Sequence, residues 1–242
     1  MELRFFHFYP DLMNLYGSYA NLLVLRRALE QLGHRVTVEA VLPGEAADLS
    51  GADFLYMGAG TERRQKFALA DFARFGGDVR RAAEDGCAMV FAGTAMELLG
   101  ASVTDAEGTV YDGIALGDFT SVQGRRRFVE DVYGKTDLFD APVVGFMNKC
   151  ARISGVTTPL LTSLSMGFGN EAERGPEGFH RGNVFASELT GPLLVKNPRL
   201  LEAVAAAILD RRGSPAPLPR DDWAEAAYAV TEEQLRLRAQ GK

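Results

Sequence analysis

Six consecutive small or apolar residues, Cys87-Ala88-Met89-Val90-Phe91-Ala92, run without a charge into the turn Gly93-Thr94-Ala95. A segment so short and so uniformly apolar has no face suited to water, so it reads as a central parallel strand covered on both sides. Such a strand needs parallel neighbours and covering helices, and the preceding residues supply both. Leu3 to Tyr9 reads as a buried first strand ending at Pro10. Leu15 to Leu32 carries apolar residues at Leu22, Leu25, Leu29 and Leu32, a helical period that Gly33 ends. Arg35 to Val41 and Asp53 to Met57 read as further strands, the latter followed by the tight loop Gly58-Ala59-Gly60. Gln65 to Asp85 reads as helical with a break near Gly76-Gly77, and Met96 to Leu99 as the start of another helix that stops by Gly100. Strand alternating with helix predicts a parallel sheet with helices on both faces.

The middle of the chain changes character. Phe128 to Tyr133 and Val143 to Met147 are strand-like runs among turns and predict antiparallel elaboration. Val184 to Ser187 reads as a late strand, and Pro198 to Leu209 as a helix. Gly213 to Pro219 is a stiff Pro-rich connector. Asp221 or Asp222 can then cap a last helix to about Ala239, with Trp223, Ala227, Val230 and Leu237 along one stripe. Residues 1–212 are therefore expected to form one domain. Residues 213–242 are expected to form a connector and helix packed on that domain or on a partner.

The 242 residues carry a formal net charge of -6, which argues against nucleic acid as a partner, because phosphate binding needs a surplus of Lys and Arg. Arg125-Arg126-Arg127 is the only dense basic run, readable as a local patch or as a solvated turn. No stretch approaches ~18 uninterrupted apolar residues, so no membrane span is expected. The opening Met-Glu-Leu-Arg-Phe-Phe does not resemble a secretory signal, which predicts a cytoplasmic location. Cys87 and Cys150 are then expected to be unpaired. These two cysteines and His7, His34 and His180 show none of the spacings of a zinc site. Neither metal nor cofactor is expected.

In open parallel sheets chemistry gathers at the carboxyl ends of the strands. A strand, a sharp glycine turn and a helix form an elbow that can present a nucleophile and backbone N–H groups for an oxyanion. Here the elbow is Val90-Phe91-Ala92-Gly93-Thr94-Ala95-Met96-Glu97-Leu98-Leu99-Gly100, which has the architecture but no thiol.

This segment resembles the Cys-Gly-Gly-Tyr-Gln-Leu-Leu-Gly elbow of class I glutamine amidotransferases of the CobB/CobQ type, and within them the GatD type that pairs with a Mur-ligase-like (MurT-type) partner. Other stretches agree, in order along nearly the whole chain. Tyr9 to Gly17 is similar to the opening of those proteins. Gly58-Ala59-Gly60-Thr61-Glu62-Arg63-Arg64-Gln65 resembles their Gly-Gly-Gly-Gln-Asp-Arg-Glu-Gln loop. Arg127-Phe128-Val129, Gly145-Phe146-Met147-Asn148 and Gly167-Phe168-Gly169-Asn170 fit later motifs. Thr190-Gly191-Pro192-Leu193-Leu194-Val195-Lys196-Asn197-Pro198 resembles their His-Gly-Pro-Leu-Leu-Pro-Lys-Asn-Pro, and Leu218 to Ala227 resembles their tail. The resemblance implies a three-layer, flavodoxin-like α/β fold with a mostly parallel central sheet. It also implies a Mur-ligase-like partner and amidation of a cell-wall precursor or a cobyrinate-like acceptor.

The departures fall on the chemistry. Aligned on Leu98-Leu99-Gly100, the family's cysteine falls on Gly93 and its histidine on Thr190. Glutaminase chemistry needs a thiolate to attack the amide and an imidazole to carry the proton, and neither residue can do this. The resemblance therefore implies a catalytic residue at neither position and a subunit without glutaminase activity. An active amidotransferase and a binding module for an amino acid such as glutamine are the alternatives. For a ligand in the vacated place the candidates are Gly58, Gly60, Thr94, Arg127 and Asn148. The family's arginine at the place of Arg127 helps to hold glutamine or the partner-facing loop; in this chain Arg127 can equally form a structural ion pair. Thr94 lacks an identifiable base. Cys150 reads as a partly buried thiol, Cys87 as packing, His180 as a surface or loop residue and His7 as core or as lining of the switch point. Glu97, where relatives have Gln, is expected to bring negative charge to the old site.

Overall fold

The computed structural model describes residues 1–241. In chain order the elements are β1 (Glu2–Phe8), α1 (Ala20–Gln31), β2 (Arg35–Val41), β3 (Phe54–Met57), α2 (Glu62–Phe72), α3 (Gly76–Glu84) and β4 (Ala88–Ala92). Then follow β5 (Ser102–Thr104), β6 (Val110–Asp112), β7 (Thr120–Lys135), β8 (Val143–Ser154) and β9 (Ser163–Met166). The chain closes with β10 (Phe179–Arg181), β11 (Val184–Ser187), β12 (Leu189–Thr190), α4 (Leu193–Lys196), α5 (Pro198–Arg211) and α6 (Asp222–Ala239).

The first sheet has the strand order β10-β11-β4-β3-β1-β2. All its pairings are parallel except the edge pair β10–β11. Every residue of β3, β4 and β11 is buried, as their uniformly apolar sequences require. One face is covered by α1, α4 and α5 through Leu22, Leu25, Leu29, Leu200, Val204 and Ile208. The other is covered by α2 and α3 through Leu69, Phe72 and Val79. This is the expected three-layer α/β architecture. The Thr61 side chain caps α2 by accepting from the Arg64 N–H, and Pro198 opens α5.

The expected antiparallel elaboration is a sheet in its own right, β12-β8-β7-β5-β6, with β9 on the flank of β7. Its two main strands are far longer than the apolar runs that marked them, 16 residues for β7 and 12 for β8. The arginine run hides the middle of β7. Register passes from Gln123↔Ala151 to Phe128↔Lys149, so four residues, Gly124 to Arg127, bulge out opposite Cys150 alone.

Three local expectations are corrected. The first helix begins at Ala20, not Leu15; residues 15–17 form a short 3-10 turn with Tyr16 in the left-handed region at φ +60°. No α-helix starts at Met96, because residues 93–99 form a 3-10 turn. The carbonyls of Leu98, Leu99 and Gly100 accept from the N–H groups of residues 114–117 and are not free to propagate a helix. His180 lies in β10, half-buried, with its ring 5.0 Å from that of Phe185.

The last helix has the expected span but the opposite orientation. Asp221 caps it, accepting from the N–H groups of Trp223 and Ala224. Leu235 and Tyr228 pack on Val144, Met166 and Tyr133 of the second sheet, and the Tyr228 hydroxyl donates to the Pro142 carbonyl at 2.7 Å. The stripe of Trp223, Ala227 and Val230 faces out, with Trp223 88% exposed.

Candidate functional site

The elbow lies where β4 leaves the first sheet. Gly93 has φ +63°, the left-handed conformation of a sharp strand-to-turn junction, which glycine adopts without strain. A side chain at this position would enter filled space. A Cβ built on Gly93 would stand 2.6 Å from the Ala59 methyl and 3.7 Å from Thr190 Cγ2. Residues 93 and 190 are therefore neighbours although 97 positions apart in sequence, because β12 pairs with β8 beside the elbow, Thr190 opposite Phe146. Thr190 is buried, and its hydroxyl donates to the Phe146 carbonyl at 3.2 Å.

Thr94 closes the site from the other side. Its Oγ1 accepts from the Gly60 N–H at 3.0 Å and donates to the Gly60 carbonyl at 3.1 Å, so one hydroxyl bridges the loop after β3 to the elbow. The Gly60 N–H points at the elbow, and Thr94 occupies it. The loop itself sits tightly against the chain after β1. Cβ atoms on Gly58 or Gly60 would collide with the Met13 carbonyl and Ser18 side chain, or with the Met13 sulfur. The Leu15 N–H donates to the Ala59 carbonyl at 2.8 Å. Close backbone approach explains the two glycines.

Arg127 and Asn148 do come together, at the rim. Arg127 donates to the Asn148 side-chain and main-chain oxygens and to Glu62 Oε1, the last at 2.7 Å. Asn148 in turn donates to the Tyr16 hydroxyl. Burial works upward on the Glu62 carboxyl, but main-chain hydrogen bonding and the Arg127 guanidinium hold it below its ordinary range. Cys150 donates to the same Glu62 oxygen at 3.4 Å. Burial and that carboxylate push its thiol up to about 12, so it is not a thiolate near neutral pH. Burial pushes the Cys87 thiol to a similar value at the far end of β4. His7 is buried in β1 with its pKa lowered to about 4 by desolvation. Neither His7 nor His180 is hydrogen-bonded to the elbow.

Beneath the elbow lies a buried polar network that only one residue, Glu97, signalled in advance. Gln65 donates to the Thr94 carbonyl, Gln123 donates to Gln65 and Glu97, and Ser121 donates to Glu97. Glu97 is 1% exposed. Desolvation, then the nearby Glu188, raise its pKa from 4.5 to about 7. Its negative charge is thus suppressed in mildly acidic solution and present above neutral pH. Beside it, Lys149 makes a buried ion pair with Glu188 and donates to the Gly169 and Asn170 carbonyls. Ala59, Gln65, Gln123 and Lys149 were not singled out from sequence. For Ala59 a signal existed, since it stands at the middle glycine of the family's loop.

Glu97→Gln is expected to stabilise the protein at pH 8 by about 3 kcal/mol, because each tenfold change in an acid dissociation constant on folding corresponds to ~1.4 kcal/mol. A carboxyl whose folded pKa is raised favours the fold fully below its unfolded pKa, and loses that contribution as pH rises through about 7. The gain from glutamine, which keeps an acceptor for Ser121 and Gln123, should therefore be largest above pH 7 and vanish near pH 4. Urea denaturation at several pH values measures it; an equal gain at pH 4 and pH 8 would contradict the assignment.

Residues 4–198 match the CobB/CobQ-like glutamine amidotransferase domain. The chain is 28% identical over 88% of its length to the GatD subunit of the glutamine-hydrolyzing lipid II isoglutaminyl synthase of Staphylococcus aureus, covering 87% of that protein. It is 31% identical over 90% of its length to the subunit of the same name from Streptococcus pneumoniae, covering 85% of it. A domain match across most of the chain, on a fold of the expected architecture, establishes that this protein belongs to the CobB/CobQ-like glutamine amidotransferase family.

Proposed function

We propose that the chain is a GatD-like subunit that has lost glutaminase activity and serves as the binding partner of a Mur-ligase-like amide ligase. One observation carries this reading: the space a nucleophile needs at Gly93 is occupied by the Ala59 methyl. The Thr94 hydroxyl holds the Gly60 N–H that faces the elbow, and Thr190 offers no imidazole. An amide substrate would find neither an attacking thiolate, nor a proton carrier, nor the Gly60 N–H free to donate. The near-complete coverage of relatives named as synthase subunits supports a retained docking role. The ligase would then draw on free ammonia, or be regulated by this subunit. An amino-acid site at the same place would have to displace Glu62 from Arg127, so no observation favours it.

The test is nitrogen-donor preference. The purified chain with its copurified ligase partner is expected to release no ammonia from glutamine, while the ligase works with ammonium. Glutamine hydrolysis comparable to that of an active relative assayed in parallel would overturn the loss of activity. Failure of the ligase to copurify would overturn the docking role.

A further inference from the structure

The β7 bulge carries three successive arginines with different fates. Arg127 turns back onto Glu62 and Asn148. Arg125 and Arg126 stay exposed. The Arg126 guanidinium lies over the Phe128 ring at 5.2 Å, and that of Arg152, from β8, approaches the same ring at 5.4 Å. Arg152 is further fixed by donating to the Glu171 main-chain carbonyl, while the Glu171 carboxylate accepts from Ser154. Among the described residues Arg125, Arg126 and Arg152 make no salt bridge. Two guanidiniums are thus brought to one aromatic ring, neither of them in an ion pair among the described residues, in a chain of net charge -6. Val122, paired across from Arg152, is 51% exposed beside it.

Like charges held together by an aromatic platform repel unless an anion completes the arrangement. From this geometry we infer that Arg126 and Arg152, with Val122 across from Arg152 and the exposed Arg125 next in the bulge, form a docking surface for an acidic segment of the protein partner. This rests on the partner reading above. The chemistry favours carboxylates on a protein over an extended polyanion. The arginines are few and held in place by a ring and a carbonyl, and the planar guanidinium pairs with carboxylates in a bidentate fork. Val122 provides apolar contact of the kind found at a protein interface. Because Arg127 ties the bulge to the first turn of α2, a partner seated here lies at the rim of the closed elbow.

The test compares the full chain with an Arg125→Ala/Arg126→Ala/Arg152→Ala variant in equilibrium binding to the purified Mur-ligase-like protein across a salt series. The wild type should bind more weakly as salt rises. The variant, with its circular dichroism spectrum unchanged, should lose roughly 10-fold in affinity at low salt and show a flatter salt dependence. Arg126→Glu/Arg152→Glu should lose more. Wild-type and variant chains binding the ligase equally, with the same salt dependence, would overturn this surface and leave the partner reading intact. A wild type that fails to bind the ligase at any salt would overturn the partner reading and this surface with it. Arginine-dependent binding of inorganic pyrophosphate or phosphatidylglycerol vesicles, with ligase binding unchanged, would reassign the patch to phosphate and equally overturn the proposal.

Discussion

Lys149→Met is expected to destabilise the protein by about 3–5 kcal/mol, the usual cost of removing one partner from a buried ion pair. Lys149 and Glu188 have side chains only 3% and 2% exposed. Lys149 also donates to the Gly169 and Asn170 carbonyls, and so ties the glycine turn after β9 to the strand beside the elbow. Without it the Glu188 carboxylate faces a site that already holds Glu177, which accepts from the Glu188 N–H, and Glu97, whose pKa Glu188 raises. Burial already works upward on Glu188, with Lys149 opposing it, so the variant should lose most at high pH and recover part of its stability as Glu188 protonates. At roughly 2–4 °C per kcal/mol for a domain of this size, the melting temperature at pH 8 should fall by about 6–20 °C. Lys149→Met/Glu188→Leu removes both charges and should be markedly more stable than the single variant. A single-variant loss below about 1 kcal/mol, in urea denaturation at pH 8, would show that the pair does not hold this turn.

The second large effect concerns the elbow. Gly93→Cys is expected to cost about 2–5 kcal/mol. Roughly 1–2 kcal/mol comes from forcing an L side chain into the left-handed region, and about 1–3 kcal/mol from overpacking. The overpacking is specific, because the new Cβ would meet the Ala59 methyl at 2.6 Å. Ala59→Gly in the same chain should therefore recover about half of the loss, and a double-mutant cycle should report a coupling of about 1 kcal/mol or more between the two positions. The single variant should release no ammonia from glutamine, since Thr190 supplies no base and Thr94 still holds the Gly60 N–H. Additive costs for Gly93→Cys and Ala59→Gly would mean that the elbow has room to spare, and would remove the main support for a site closed by packing.

These two results bear on different links between sequence and structure. That a glycine and a threonine stand at positions 93 and 190, where the resemblance would put a cysteine and a histidine, is legible from sequence alone, because each falls inside a recognisable local motif. The closure of the space they leave is not. Ala59 and Gly93 lie 34 residues apart, and the alanine at the middle of the glycine loop acquires its consequence only when β3 and β4 pair in parallel and bring both turns to one edge of the sheet. The same holds for the hydroxyl bridge from Thr94 to Gly60 and for the contact between Arg127 and Glu62.

The last helix shows the limit of periodicity. Its sequence supports two apolar stripes, and a helical period says nothing of which one faces the core. The stripe with Tyr228 and Leu235 packs inward. The Tyr228 hydroxyl reaches the Pro142 carbonyl, while Glu232 and Arg238 pair with Tyr133 and Asp131 of β7. Trp223, Ala227 and Val230 are left outside.

By itself the sequence determined the parallel sheet, its two helical layers, the family and the absence of a cysteine from the turn at Gly93, because each is written in uninterrupted apolar strands or in contiguous motifs. Only the tertiary structure decided that the elbow is filled rather than merely vacant, that Glu97 is buried beneath it, and that Arg126 and Arg152 meet over the Phe128 ring. All three depend on residues distant in the chain meeting at sub-nanometre range, where the size of one methyl group or the reach of one guanidinium decides the outcome.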